Sequence, residues 1–155
     1  MMKPIVAART DVGRVRTNNE DAFFTSVDDG IYIVCDGMGG HNAGEVASQM
    51  TCDIVARELK SEKTQKAIAK FRESGKTKDS KTLRKLMEAA ITTACREVFG
   101  TASRDAEKAG MGTTCTAVLL ADHGKGILGH VGDSRLYVLR RETVHQLSED
   151  HTYVN

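Results

Sequence analysis

Ile31-Tyr32-Ile33-Val34-Cys35-Asp36-Gly37-Met38-Gly39-Gly40-His41 runs from a tightly apolar stretch into a carboxylate and then into a series of small residues. The stretch Ile31–Cys35 reads as a buried strand, flanked by Asp28-Asp29-Gly30 before it and Asp36-Gly37 after it. Asp36 therefore stands at the C-terminal edge of a core strand. A hard cation such as Mg²⁺ or Mn²⁺ takes carboxylate and carbonyl oxygens, and a glycine beside the carboxylate lets a backbone carbonyl approach the same ion. Asp36 with the Gly37 carbonyl is a candidate metal seat, although an isolated Asp-Gly pair is more often a turn.

Working outward from that strand, Ile5–Arg9 and Ala22–Val27 are short alternating runs expected to be strands. From Glu45 to about Lys60 the apolar spacing becomes helical, through Val46, Ala47, Met50, Ile54, Val55 and Leu59. Residues 61–81 are polar, with Ser74-Gly75 at their centre, and read as a loop or a frayed helix extension. A second helix is predicted from Leu83 through Leu86, Met87, Ala90, Ile91, Ala94, Val98 and Phe99, capped by Ser80 or Thr82 and running as far as Gly110. Four β-branched runs follow, Thr113–Ala121, Gly126–Val131, Leu136–Arg140 and Thr143–Leu147, separated by short turns. They predict consecutive antiparallel strands. Strands, two long helices, then strands again argue for an α+β fold with its helices on one face of a sheet.

The 155 residues form a single domain, 1–155, large enough to bury a core without disulfides or a structural metal. Cys35, Cys52, Cys95 and Cys115 contain no C-x-x-C pair and read as buried thiols. No apolar run approaches the roughly 20 residues of a membrane helix, and the expected location is cytoplasmic. With 22 Lys+Arg against 21 Asp+Glu there is no overall attraction to nucleic acid or to a membrane surface. The charge is nonetheless segregated: residues 18–58 hold eight acids and one base, and residues 60–85 hold ten bases and three acids. The basic stretch reads as a solvated surface. The acidic stretch surrounds Asp36.

Arg16-Thr17-Asn18-Asn19-Glu20-Asp21 places a guanidinium four residues before two adjacent carboxylates. Such a pair is easier to tolerate where a cation or bound water is shared, and Arg16 offers a planar fork for phosphate or carboxylate. Gly129-His130-Val131-Gly132-Asp133-Ser134-Arg135 puts another carboxylate in a turn between strands. Gly110-Met111-Gly112-Thr113-Thr114 reads as a helix stop leading into a buried strand.

Arg16-x-x-Asn19-Glu20-Asp21, Asp36-Gly37-Met38-Gly39-Gly40-His41, Gly110–Thr114, Gly132–Arg135 and Leu147-Ser148-Glu149-Asp150-His151-Thr152, in this order, resemble the bacterial metal-dependent serine/threonine phosphatases of the type 2C (PPM) family. The resemblance implies an antiparallel β-sandwich flanked by helices, with two Mn²⁺ or Mg²⁺ ions, and in bacterial members a third, between the sheets. It implies that Asp36 bridges both metals, that the Gly37 carbonyl binds one, and that Glu20 and Asp21 hold metal or its water. Asp133 is then expected to help bind the third ion, and Arg16 to grip the substrate phosphate. Activated water would attack phosphorus without a protein nucleophile. Met38 stands where some relatives carry a histidine as candidate general acid, leaving His41 and His151 as weak substitutes.

The implied function is hydrolysis of phosphoserine and phosphothreonine in phosphorylated proteins, opposing a Ser/Thr kinase. Family members continue past the Leu147–Thr152 motif, through a flap and two further metal-binding aspartates, so the resemblance leaves the domain incomplete at its C-terminus. Two other expectations follow from that: a catalytically inactive phosphoprotein-binding or regulatory module, and self-association over a sheet face left uncovered.

Overall fold

The protein is described by a computed structural model covering residues 4–40, 43–122 and 124–152. Strand β1 (Asp21–Ser26) turns back into β2 (Ile31–Met38), and three helices follow: α1 (Ala43–Leu59), α2 (Glu62–Ser74) and α3 (Thr77–Arg104). A single 3-10 turn at Ala106–Lys108 leads to the short β3 (Gly112–Thr113), then β4 (Cys115–Asp122), β5 (Lys125–Val131), β6 (Tyr137–Arg140) and β7 (Thr143–Gln146). The main sheet has the order β1-β2-β4-β5 with β3 against the end of β2, and all its pairings are antiparallel. The α+β class with antiparallel sheets and helices is as expected.

Period-two alternation decides which side of the sheet is covered. Ile31, Ile33 and Cys35 of β2, with Cys115, Ala117, Leu119 and Ala121 of β4, point to one face and are buried. Val55 and Leu59 of α1, Ile68 and Phe71 of α2, and Leu83 and Met87 of α3 close over them in one apolar cluster. Phe23, Tyr32, Val34, Val118 and Leu128 occupy the opposite face, which no helix covers among the described residues.

The polar stretch 61–81 forms no loop. It holds α2 and the first turn of α3, because Thr64, Ile68 and Phe71 recur at four and three and suffice to seat a Lys-rich helix on the core. Ser61 caps α2 by accepting from the Thr64 amide, and Gly75, left-handed at φ 60°, ends it by donating to the Phe71 carbonyl. Helix α3 starts at Thr77, earlier than Ser80 or Thr82 would have set it. Its cap position is Lys76, with no side-chain cap, and Asp79 anchors its first turn by accepting from Ser74 Oγ at 2.6 Å. Its α-helical part stops at Arg104, short of the expected Gly110.

Two strand expectations are corrected. Residues 5–9 are not a strand: no described strand offers them a ladder, Ile5 is fully exposed, and Val6–Thr10 instead line a cavity of about 350 Å³ against β1 and β2. The last four strands are not one continuous sheet either. Gly132 at φ 106° turns the chain out of β5, and β6 pairs only with β7 in a separate two-stranded sheet. Among the described residues that hairpin is all there is of a second sheet. Among the described residues no helix is long and apolar enough to cross a membrane.

Candidate functional site

The β1–β2 register sets Asp21 directly opposite Asp36, two carboxylates on the uncovered face of the sheet. Like charges in directly opposed positions repel. Burial first, and then the charges of Asp21, Asp133 and Glu20, push the Asp36 carboxyl above its ordinary value. The Asp36 backbone has little freedom to relieve this. Its amide donates to Thr114 Oγ1 at 2.9 Å, and its carbonyl accepts from the Thr114 amide at 2.9 Å and from Thr113 Oγ1 at 3.0 Å.

Glu20 sits one residue before β1, and its carbonyl accepts from the Gly37 amide at 3.0 Å. Its side chain turns inward against the first turn of α1. A Cβ at Gly44 would collide with Glu20 Oε1, and a Cβ at Gly37 would collide with the Gly44 carbonyl. Helix, strand and carboxylate meet there only because neither residue has a side chain. Glu20 Oε2 lies 3.6 Å from Arg16 Nη1, whereas Oε1 is buried with no hydrogen-bond partner among the described residues.

The surrounding loop is tied down by amides. Asn19 Oδ1 accepts from the Asp21 amide at 3.1 Å, Asn19 Nδ2 donates to Thr10 Oγ1 at 2.8 Å, and Asn18 Nδ2 reaches Glu45 Oε2 at 3.1 Å. Arg16 is 77% exposed and is held at the site by its ion pair with Glu20.

Arg16, Glu20, Asp21, Asp36 and Gly37 thus share one polar cavity of about 140 Å³, with Asp11, Asn18 and Asn19 around it. Asp133 does not line this cavity. It lies in the exposed turn after β5, close enough to act on Asp36, and Ser134 beside it joins Thr114 Oγ1 at 2.7 Å. His151 is turned away: its amide donates to the Gly132 carbonyl at 2.9 Å and its Nδ1 accepts from the Gly132 amide at 3.3 Å. Arg135 and Asp150 close the same corner with a forked ion pair at 2.6 Å, which lowers the Asp150 carboxyl and raises the Arg135 guanidinium. His41 lies outside the described residues.

A buried oxygen without a partner on Glu20, an opposed carboxylate pair and a nearby backbone carbonyl are hard oxygen donors short of positive charge. That donor chemistry fits a divalent ion. The set is open, since among the described residues no three His, Cys, Asp or Glu side chains converge into a closed metal site.

Thr113 and Thr114, read from sequence as part of a helix stop leading into a strand, turn out to frame Asp36, and Gly44 turns out to leave room for Glu20. Thr114 acts through pairing between β2 and β4, so its neighbours in sequence give no sign of it.

Residues 13–155 match the family described as protein phosphatase 2C. The serine/threonine protein phosphatase PstP of Mycobacterium tuberculosis is 35% identical over 148 residues, covering 96% of this chain and 25% of PstP. The serine/threonine phosphatase stp of Listeria monocytogenes is 37% identical over 150 residues, covering 95% of this chain and 54% of stp. A crystal structure of M. tuberculosis PstP superposes with a TM-score of 0.75 at 34% identity, over 96% of this chain and 55% of that one. The PstP catalytic domain in complex with two manganese ions superposes at 0.71, with 35% identity over 96% of this chain and 56% of that one. The chain thus spans between a quarter and about half of the length of these relatives. Over the span they share, sequence and fold agree, and the chain belongs to the protein phosphatase 2C family.

Proposed function

We propose that this chain carries the phosphate-gripping and metal-seating part of a metal-dependent hydrolase acting on phosphoserine and phosphothreonine in proteins. The observation that carries the reading is the single cavity shared by Arg16, Glu20, Asp21, Asp36 and Gly37 in a member of the protein phosphatase 2C family. Asp36 and the Gly37 carbonyl, with Glu20 and Asp21, would hold Mn²⁺ or Mg²⁺, and Asp133 would serve a further ion at the edge. When bound, divalent ions supply an acidified water and charge neutralisation at a phosphoryl group.

The protein's own part is positional. Arg16 orients the phosphate through its planar fork. Thr113 and Thr114 hold the Asp36 backbone in place, and the lack of a side chain at Gly44 leaves the Glu20 carboxylate room against the start of α1. Phosphorylated proteins are the substrates in this reading, which sets the chain against a Ser/Thr kinase in the cytoplasm.

The test is hydrolysis of a phosphothreonine peptide with and without Mn²⁺, beside Asp36→Asn and Arg16→Ala. Metal-dependent turnover that is lost in Asp36→Asn and falls in Arg16→Ala is the expected result. Turnover retained by Asp36→Asn would overturn the reading. A folded chain that binds the phosphopeptide through Arg16 without turning it over would make it a phosphoprotein-binding module instead.

A further inference from the structure

The core behind Asp36 holds a second chemistry, one that the phosphatase reading does not use. Three of the four cysteines are buried in one apolar cluster: Cys35 on β2, Cys115 on β4 and Cys52 on α1. Val34 pairs with Thr116, so Cys35 and Cys115 are the next opposed pair along the same ladder. The bonds from the Thr114 amide to the Asp36 carbonyl and from the Leu120 amide to the Gly30 carbonyl place the hydrogen-bonded pairs at alternate positions. Cys35 and Cys115 therefore occupy a non-hydrogen-bonded pair, where Cα atoms approach to about 4.5 Å. A disulfide spans Cα separations of about 4.4–6.8 Å, so this pair can be joined with little backbone movement.

A cleft of about 210 Å³ between α3 and the β3–β4 segment is lined by Cys95, Phe99, Met111, Thr113 and Cys115 among others. Cys115 forms part of its floor, while Cys35 and Cys52 line none of it. Of the two cysteines that line it Cys95 is exposed and Cys115 is buried, and Cys115 is the one with a thiol, Cys35, opposed to it across the β2–β4 ladder.

We propose that this cleft is an oxidation site, at which a small peroxide converts Cys115 and Cys35 to a disulfide. The Cys115 sulfur attacks one peroxide oxygen as the O–O bond breaks, giving a sulfenic acid and, with the thiol proton, one water from hydrogen peroxide. The Cys35 sulfur then attacks the Cys115 sulfur. The S–S bond forms as the S–O bond breaks, and the hydroxyl leaves with the Cys35 proton as a second water. Two thiols and one peroxide thus become one disulfide and two waters. The bond lies between the residues that adjoin Asp36 and Thr114, so it acts on the strand pair that holds the Asp36 backbone.

The test is peptide mapping of the reduced protein before and after hydrogen peroxide. The expected result is loss of two of the four thiols and of about 2 Da, with the Cys35 and Cys115 peptides joined and both released by dithiothreitol. The cross-link should persist in Cys95→Ala and Cys52→Ala and be absent from Cys115→Ala. In ¹⁵N-labelled protein the Asp36 and Thr114 amide resonances should shift on oxidation and return on reduction. A bridge to Cys95 or Cys52, oxidation confined to Cys95, or Cys115 driven to sulfinic acid without a bridge would each overturn the proposal. Unmoved Asp36 and Thr114 amides would overturn its link to Asp36.

Discussion

The two faces of the main sheet are made from the same strands and have opposite fates. On the helix side Ile31, Ile33, Cys35, Ala117 and Leu119 lose almost all contact with water. On the other side Phe23 keeps 40% of its surface exposed, Leu120 42% and Val34 52%, and Asp21 and Asp36 stand at one end of that face. Apolar burial holds the molecule together on the first face, and the second keeps its carboxylates where a ligand can reach them. One face is a closed core, and the other is left open among the described residues.

The sharpest way to break that contrast is to truncate a β-branched side chain to alanine on each face. Ile33→Ala, on the closed side, should lower the unfolding free energy by about 2–5 kcal/mol in urea denaturation, because the fully packed cluster cannot collapse into the gap. Gly44→Ala tests the boundary where the closed face meets the acidic end. Its methyl group has to displace Glu20, and a loss of about 1–3 kcal/mol is expected, along with weaker Mn²⁺ binding by calorimetry.

Asp36→Asn should act in the opposite direction. The carboxyl of Asp36 is raised in the folded protein, so its contribution to stability is present below the ordinary value of 3.8 and is lost as pH rises through the raised value. With a chelator at pH 7, Asp36→Asn should therefore melt at a higher temperature than the wild type. The gap should close as the pH falls below 3.8. A mutant less stable at pH 7 would mean that the opposed carboxylates do not strain the fold. Val34→Ala, on the open face, should cost the least, within about 0.5 kcal/mol, since its side chain packs against little. If it matched Ile33→Ala, something else would be covering that face.

Features set by neighbouring residues could be read from the sequence. The Ile31–Cys35 strand, the turn after it and the carboxylate at its end are all local, and so are the hairpins joining β1 to β2 and β6 to β7. The family resemblance, and no local spacing, groups Arg16, Glu20, Asp21, Asp36 and Gly37, and all five line one cavity. Helix α2 escaped notice because three buried side chains, Thr64, Ile68 and Phe71, are outnumbered by the lysines and glutamates around them. Residues 5–9 alternate as a strand should, yet alternation does not supply a neighbour to pair with. The separation of β6 and β7 from the main sheet depends on the backbone at Gly132, which composition alone does not reveal.

The bond from the Asp36 amide to Thr114 Oγ1 joins residues 78 apart in the chain, with all three helices between them. Contacts of such long range pay their loop-closure entropy before they return anything, and they are made late in folding. The hairpins and the α2–α3 pair can form from near neighbours, whereas the frame around Asp36 cannot exist until β4 has docked beside β2. A partly folded chain therefore has helices and turns but no place for a cation. On the proposed reading, competence to bind a cation would arrive only with that long-range pairing, so a chain without it would bind none at all.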